Sequence, residues 1–309
     1  MRKGGVCRVA GHVWAAAAVV LACAGLGAQT SQGPQQQVAV PAQPAPEVLW
    51  AVTSHGTLVR LLASRPDIVE PERPLIALAA GDELVGMDFR VAKGVLYTLS
   101  RSGKLYTVNT ATASLNPVGA QVPLAVPLRG TRWGVDFNPA ADRIRVVSDE
   151  GQNLRLHPDT GAVVDFDPST DGVQPDPDLR YADGDRQAGQ RPQLVSAGYT
   201  YNTRDDKLTT NFAIDARLGT LVTQGSREGD VPVESPNLGV LRTVGELGTG
   251  PLLDAAFDIS DVRNTAWLAA RTAAEPRTTL YRVDLTTGVA HRQGVLGNGQ
   301  ALLGLAIEP

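Results

Sequence analysis

Between Leu84 and the C-terminus, apolar and polar residues alternate in runs of five to eight, cut by Gly, Asp and Asn. That period of two is the mark of β-strands with two distinct faces. "LVGMDFRVAKGVLYTLSRSGKLYTVNTATASLNPVG", from Leu84, reads as strand, short turn, strand, Gly turn, strand, Thr turn, strand. "RWGVDFNPAADRIRVVSDEGQNLRLHPDTGAVVDFD", from Arg132, repeats the order. Looser copies begin at Leu194, completed by "VLRTVGEL", and at Leu252. Aligning the aromatic of each first strand places Phe89, Phe137, Tyr199 and Phe257 in register, at spacings of 48, 62 and 58 residues (137−89, 199−137, 257−199). Repeats of this length fit propeller blades of four strands with variable loops.

The two ends complement each other. "EVLWAVTSHGTLVRLLASRPDIVEPERPLIAL", from Glu47, supplies three strands without a first one, and the terminal "ALLGLAIEP" supplies a first strand with nothing after it. Joined, they make one further blade and remove the open sheet edges that invite aggregation. The pattern therefore predicts an all-β fold, a β-propeller of five four-stranded blades closed by pairing of its N- and C-terminal strands. Six blades result if the segment from Asp167 to Leu247 holds an extra one.

Composition agrees with sheet: 32 glycines and 21 prolines in 309 residues leave little room for long helices. The N-terminus reads differently. Arg2, Lys3 and Arg8 precede an apolar run from Val13 to Leu26, as in an export signal. Two cleavage readings fit: a signal peptide over residues 1–28, or a lipoprotein signal ending before Cys23, which would then be lipidated. Residues 29–46, rich in Gln, Pro and Ala, read as an extended tether, and 47–309 as the propeller. The predicted location is outside the inner membrane: periplasmic, outer-membrane-anchored or extracellular. A membrane contact is expected only through Cys23.

The only cysteines, Cys7 and Cys23, lie in the export segment, so the propeller carries no disulfide or thiol chemistry. The net charge of −4 becomes more negative once that segment is removed, which makes nucleic acid an unlikely partner class. The partners left are a small molecule or an envelope protein.

The run "GVDFNPAADRIRVVSDEGQNLRLHPDTG" (134–161), then "YADGDRQAGQRPQLVSAGYT" (181–200), Thr209, Thr210, Ile214 and Asp215, and the terminal "TTLYRVDLTTG…LLGLAI" together resemble a bacterial domain-of-unknown-function family labelled 4394. The resemblance covers roughly Glu47 to the C-terminus. Its members are exported or lipid-anchored and carry no assigned activity, so it implies fold and compartment and hands over no catalytic residue. The chain departs from the family at Asn211-Phe212, where Leu-Tyr is usual; packing is the property this would touch.

Candidate chemistry comes from three places. Arg143 and Arg145 alternate with Ile144 and Val146, so both guanidiniums share one strand face, and Asn153 and Arg155 share a face of the next strand. Blades cover one another on both faces, so these groups are either struts paired across strands or, with Tyr199, a patch that binds an anionic ligand. Asp88 and Asp136 hold equivalent places just before the aligned aromatics, on strands that line the propeller axis. They either bond between blades or hold a cation; alignment puts Gly198, Ala256 and Ala306 at the other three places. The third place is the segment from Asp165 to Asp185, where Asp183 and Asp185 could form part of a calcium cage, though without the EF-hand pattern.

His55, His157 and His291 lack metal-ligand spacing, and there is no Gly-x-Ser-x-Gly, Ser-x-x-Lys or Walker motif. Trp50, Trp133 and Trp267 sit on strands and suit the spaces between blades. The reading is a non-enzymatic binding or scaffolding propeller, with a ligand on its loop-rich face. A calcium-dependent hydrolase of the lactonase type is the alternative.

Overall fold

The computed structural model describes residues 46–309. The export segment, Cys23 and all but the last residue of the predicted tether lie outside the described residues. In chain order the strands are β1 (Val48–Thr53), β2 (Thr57–Leu62), β3 (Arg73–Pro74), β4 (Leu84–Arg90), β5 (Val95–Ser100), β6 (Leu105–Asn109) and β7 (Ser114–Val118). There follow β8 (Trp133–Asn138), β9 (Arg143–Ser148), β10 (Asn153–Leu156), β11 (Arg180–Tyr181), β12 (Leu194–Tyr199), β13 (Asn211–Asp215), β14 (Thr220–Gln224) and β15 (Val240–Glu246). The last are β16 (Leu252–Ile259), β17 (Ala266–Thr272), β18 (Thr279–Val283), β19 (Ala290–Val295) and β20 (Leu302–Ile307).

They form five antiparallel blades: β20-β1-β2-β3, β4-β5-β6-β7, β8-β9-β10, β12-β13-β14-β15 and β16-β17-β18-β19, here blades 1 to 5. Five is the number, since 167–247 contributes one blade and no extra one. Blade 3 is shortened. Its fourth strand is reduced to a bridge between Leu156 and Val163, because the chain turns away at Asp165 and Asp167, whose carboxylates cap the next backbone N–H groups. Blade 4 gains β11, parallel to β15. The last strand, β20, pairs with β1 from Leu49↔Ile307 to Thr53↔Leu302.

The first strands β4, β8, β12, β16 and β20 touch in cyclic order around the axis. Small residues allow this approach: Gly86, Gly134, Ser196, Ala256 and Gly304 hold matching places. A Cβ on Gly134 would lie 2.5 Å from the Ser196 backbone, and one on Gly86 would lie 2.5 Å from Val135 Cγ2. At the level of these small residues a cavity of only about 20 Å³ remains.

The core is divided among the five spaces between blades. Four contain twelve to fourteen buried apolar residues each, and Trp50, Trp133 and Trp267 fall in three of these. The space between blades 3 and 4 holds eight, with Val147 the sole residue from the strands of blade 3. The reason is strand parity: Ile144 and Val146 face blade 2, which turns Arg145 toward blade 4.

Candidate functional site

Blade 3 therefore presents a polar face to blade 4, and a single network satisfies it. Arg145 is 1% exposed. Its Nη1 donates to Asn153 Oδ1 (2.7 Å) and Asp176 Oδ2 (2.8 Å), its Nη2 to Asn237 Oδ1 (2.6 Å), and its Nε to the Tyr199 hydroxyl (3.1 Å). Arg155 donates to the same carboxylate through Nε and Nη2. Asp176 is buried, carried in by the segment 176–181 that lies between the blades; Leu179 N–H bonds Gly151 and Arg180 N–H bonds Gly239. Asn153 also accepts from Gln224, tying blade 3 to β14. Burial opposes the Arg145 charge, yet the Tyr199 and Asp176 oxygens outweigh it and hold its pKa above the ordinary arginine value.

The network forms the floor of a cleft of about 400 Å³ between blades 3 and 4. Arg143, Arg145, Arg155 and Tyr199 all line it. Asn153 does not, since its side chain is spent beneath the floor. Lys207, Leu208, Arg227, Glu228 and Val233 complete the walls. The cleft opens among the β8–β9, β12–β13 and β14–β15 connections. The acidic segment 165–185 reaches the cleft only from beneath, through Asp176 under its floor.

Sequence pairing of these arginines with a carboxylate on their own sheet is also corrected. Asp136 stands opposite Arg145 in the β8–β9 register, but its Oδ1 accepts the Tyr199 N–H of the neighbouring first strand, β12 (3.0 Å). Asp176, a loop residue, takes both guanidiniums. No local spacing signals that partnership, since burial alone selects one Asp from the seven in the loop.

On the axis, Asp88, Asp136 and Asp258 place carboxylate oxygens within 4.8 Å of one another. All three are at most 5% exposed. Asp88 Oδ2 accepts from Phe137 N and Asp258 Oδ2 from Ile307 N, each a bond to the next blade. The matching bonds show that Asp258, and not Ala256, corresponds to Asp88 and Asp136. The aromatic alignment slipped by two residues in blade 5, because Phe257 and Ile259 share a strand face and both pack in one apolar cluster. Ile259, not Phe257, holds the place of Phe137. Gly198 and Ala306 do occupy the other two places.

Burial pushes these three carboxyls well above the ordinary carboxylate range, and mutual repulsion adds to it, with Asp261 contributing. Burial also raises Asp261 to about 7. Protonation is thus favoured in the fold. The associated stability is complete below the ordinary value near 3.8 and is lost as pH rises through about 7 and beyond. In metal-free buffer the melting temperature is expected to fall from pH 5 to pH 9, and Asp258→Asn to flatten that fall. A melting temperature that holds level or climbs over this interval would remove the repulsion from the account. A hard divalent cation fits the donor chemistry, with three carboxylates as its protein ligands.

Asp183 and Asp185 are not brought to this cluster. Asp183 is exposed, while Asp185 accepts from Thr243 N–H (2.6 Å), Thr243 Oγ1 (2.7 Å) and Gln187 N–H (2.8 Å). Those bonds pin the loop to β15.

Five blades around a narrow axis define the class: a β-propeller. The chain belongs to the family described as Domain of unknown function (DUF4394), whose model matches residues 57–306. No curated protein sequence matches it. Among solved structures it is similar to a chain of a nidogen/laminin complex, at 12% identity and TM-score 0.45, covering 85% of this chain and 98% of that one. It is also similar to a structural-genomics protein of unknown function from Bacteroides thetaiotaomicron, at 12% identity and TM-score 0.42, covering 80% of this chain and 57% of that one.

Proposed function

We propose that the protein is an exported, non-catalytic binding propeller of the cell envelope that holds a small anion in the cleft between blades 3 and 4. One observation carries the binding reading: at the cleft floor Arg145 and Arg155 share the carboxylate of Asp176, two cations on one ion-pair partner among the described residues. Arg155 keeps 19% of its side chain exposed, and an anion in the cleft would pair with it. Export rests on Arg2, Lys3 and Arg8 ahead of the apolar run Val13 to Leu26. The mass of the mature chain tests it, with cleavage before Cys23 and added lipid, or cleavage near Ala28, as the two expected products; an uncleaved chain would overturn export.

The axial carboxylates favour a cation, and with it the lactonase-type alternative, but the surroundings do not suit catalysis. All three carboxylates are at most 5% exposed and offer no open face to a substrate, so a cation there would brace the inner strands.

Binding is tested by calorimetric titration with acetate, hexanoate, succinate and inorganic phosphate, with 1-hexanol as the neutral control. Saturable binding of one or more anions, absent for the alcohol and weakened at least tenfold by Arg155→Gln, is expected. No saturable anion, or an alcohol that binds as well as hexanoate, would overturn the assignment.

A further inference from the structure

The cleft has two chemically different ends. At its floor two donors are unused. The Tyr199 hydroxyl accepts from Arg145 Nε, but its own O–H meets no acceptor among the described residues, although Tyr199 is 2% exposed. Arg155 spends Nε and Nη2 on Asp176, while its Nη1 makes no hydrogen bond among the described residues. A phenol O–H and a guanidinium Nη lining one cleft match the two oxygens of a carboxylate.

The mouth carries exposed aliphatics beside Lys207. Leu208 and Val233 line it and are 42% and 83% exposed, and Val231, in the same β14–β15 connection, is 91% exposed. Large aliphatic side chains this exposed, gathered at the entrance of a cavity, point to an apolar occupant. Glu228 and Glu234 also line the cleft, together with Arg143, Lys207 and Arg227. Glu228 is held by Thr200 and Asn202, and Glu234 pairs with Arg242, while the two unused donors at the floor serve a single head.

We infer that the ligand is an amphiphile with one anionic head, a carboxylate on an aliphatic chain. The head lies between Tyr199 and Arg155, and the chain runs out along Leu208 and Val233. This rests on the anion-binding reading above and adds the class of anion.

The test is a calorimetric series of straight-chain carboxylates from butanoate to dodecanoate, below their micelle concentrations, with succinate as the dianion. Affinity is expected to rise by about fourfold for each methylene that enters the cleft and then level off. Succinate is expected to bind more weakly than hexanoate. Tyr199→Phe should weaken every member by about tenfold, as loss of a hydrogen bond to a charged group implies, while Leu208→Ser with Val233→Ser should flatten the rise with chain length. Melting curves of each variant confirm that it is folded; should Tyr199→Phe fail to fold, Arg155→Gln takes its place. Carboxylates that all bind with the same affinity, or succinate ahead of hexanoate, would overturn the amphiphile and leave an anion site. If no member binds, both readings fall.

Discussion

A chain ending at Ala301 is expected to lose cooperative unfolding and to be digested rapidly by protease at temperatures where the full chain resists. Strand β20 is the innermost strand of blade 1, and its loss unpairs β1 from Leu49 to Thr53. It also removes Leu302, Leu305 and Ile307 from the space between blades 5 and 1, and Ala306 from that between blades 1 and 2. Each large aliphatic is worth about 1.5–3 kcal/mol when fully buried, so three approach the 5–15 kcal/mol total stability of an ordinary domain. Asp258 loses its cross-blade donor, the Ile307 N–H, as well. Unchanged melting and protease resistance in the shortened chain would mean that the terminal pairing does not close the ring in any energetic sense.

Arg145→Ala is the second large effect. The side chain satisfies Asn153, Asp176, Asn237 and Tyr199 at once, and removing it leaves a fully buried Asp176 with Arg155 as its one ion-pair partner. Truncating one member of such a buried network costs about 3–5 kcal/mol. Arg143, two residues away on the same face, bonds only the carbonyls of Ala141 and Asp142 and is half-buried at the rim. Its replacement by alanine should change stability by about 0.5 kcal/mol or less. Urea unfolding of the two variants measures the contrast. Equal losses would show that the network is not what joins blade 3 to blade 4.

The two arginines illustrate what alternation can and cannot reveal. Their shared face follows from the period of two, and so does the conclusion that one face of blade 3 is polar. The choice between strut and binding patch does not follow, and the structure divides it residue by residue. Arg145 and Asn153 are built into the network, Arg155 is half engaged, and Arg143 stands at the rim. Partner identity is the missing information, because Asp176 reaches Arg145 across 31 positions of irregular chain, and irregular chain has no period to read.

The axial cluster has the same lesson in another form. Asp88 and Asp136 were legible because their blades repeat closely. Asp258 was hidden by Phe257, an aromatic two residues before the true match Ile259, and a slip of two preserves the strand face, so no change of hydrophobic pattern reveals it. The register between neighbouring first strands settles it, through the N–H groups of Phe137, Tyr199 and Ile307.

The sequence by itself determined the strand order, the split of blade 1 between the two ends of the chain, and the small residues that allow five first strands to meet. These are local or repeated features, fixed by side-chain size and the pleat. Tertiary structure alone decided which carboxylates converge, which end of the propeller carries the cleft, and why a buried polar network around Arg145 joins blades 3 and 4. Those depend on distances between segments far apart in the chain, which burial and hydrogen bonding select only when the ring is assembled.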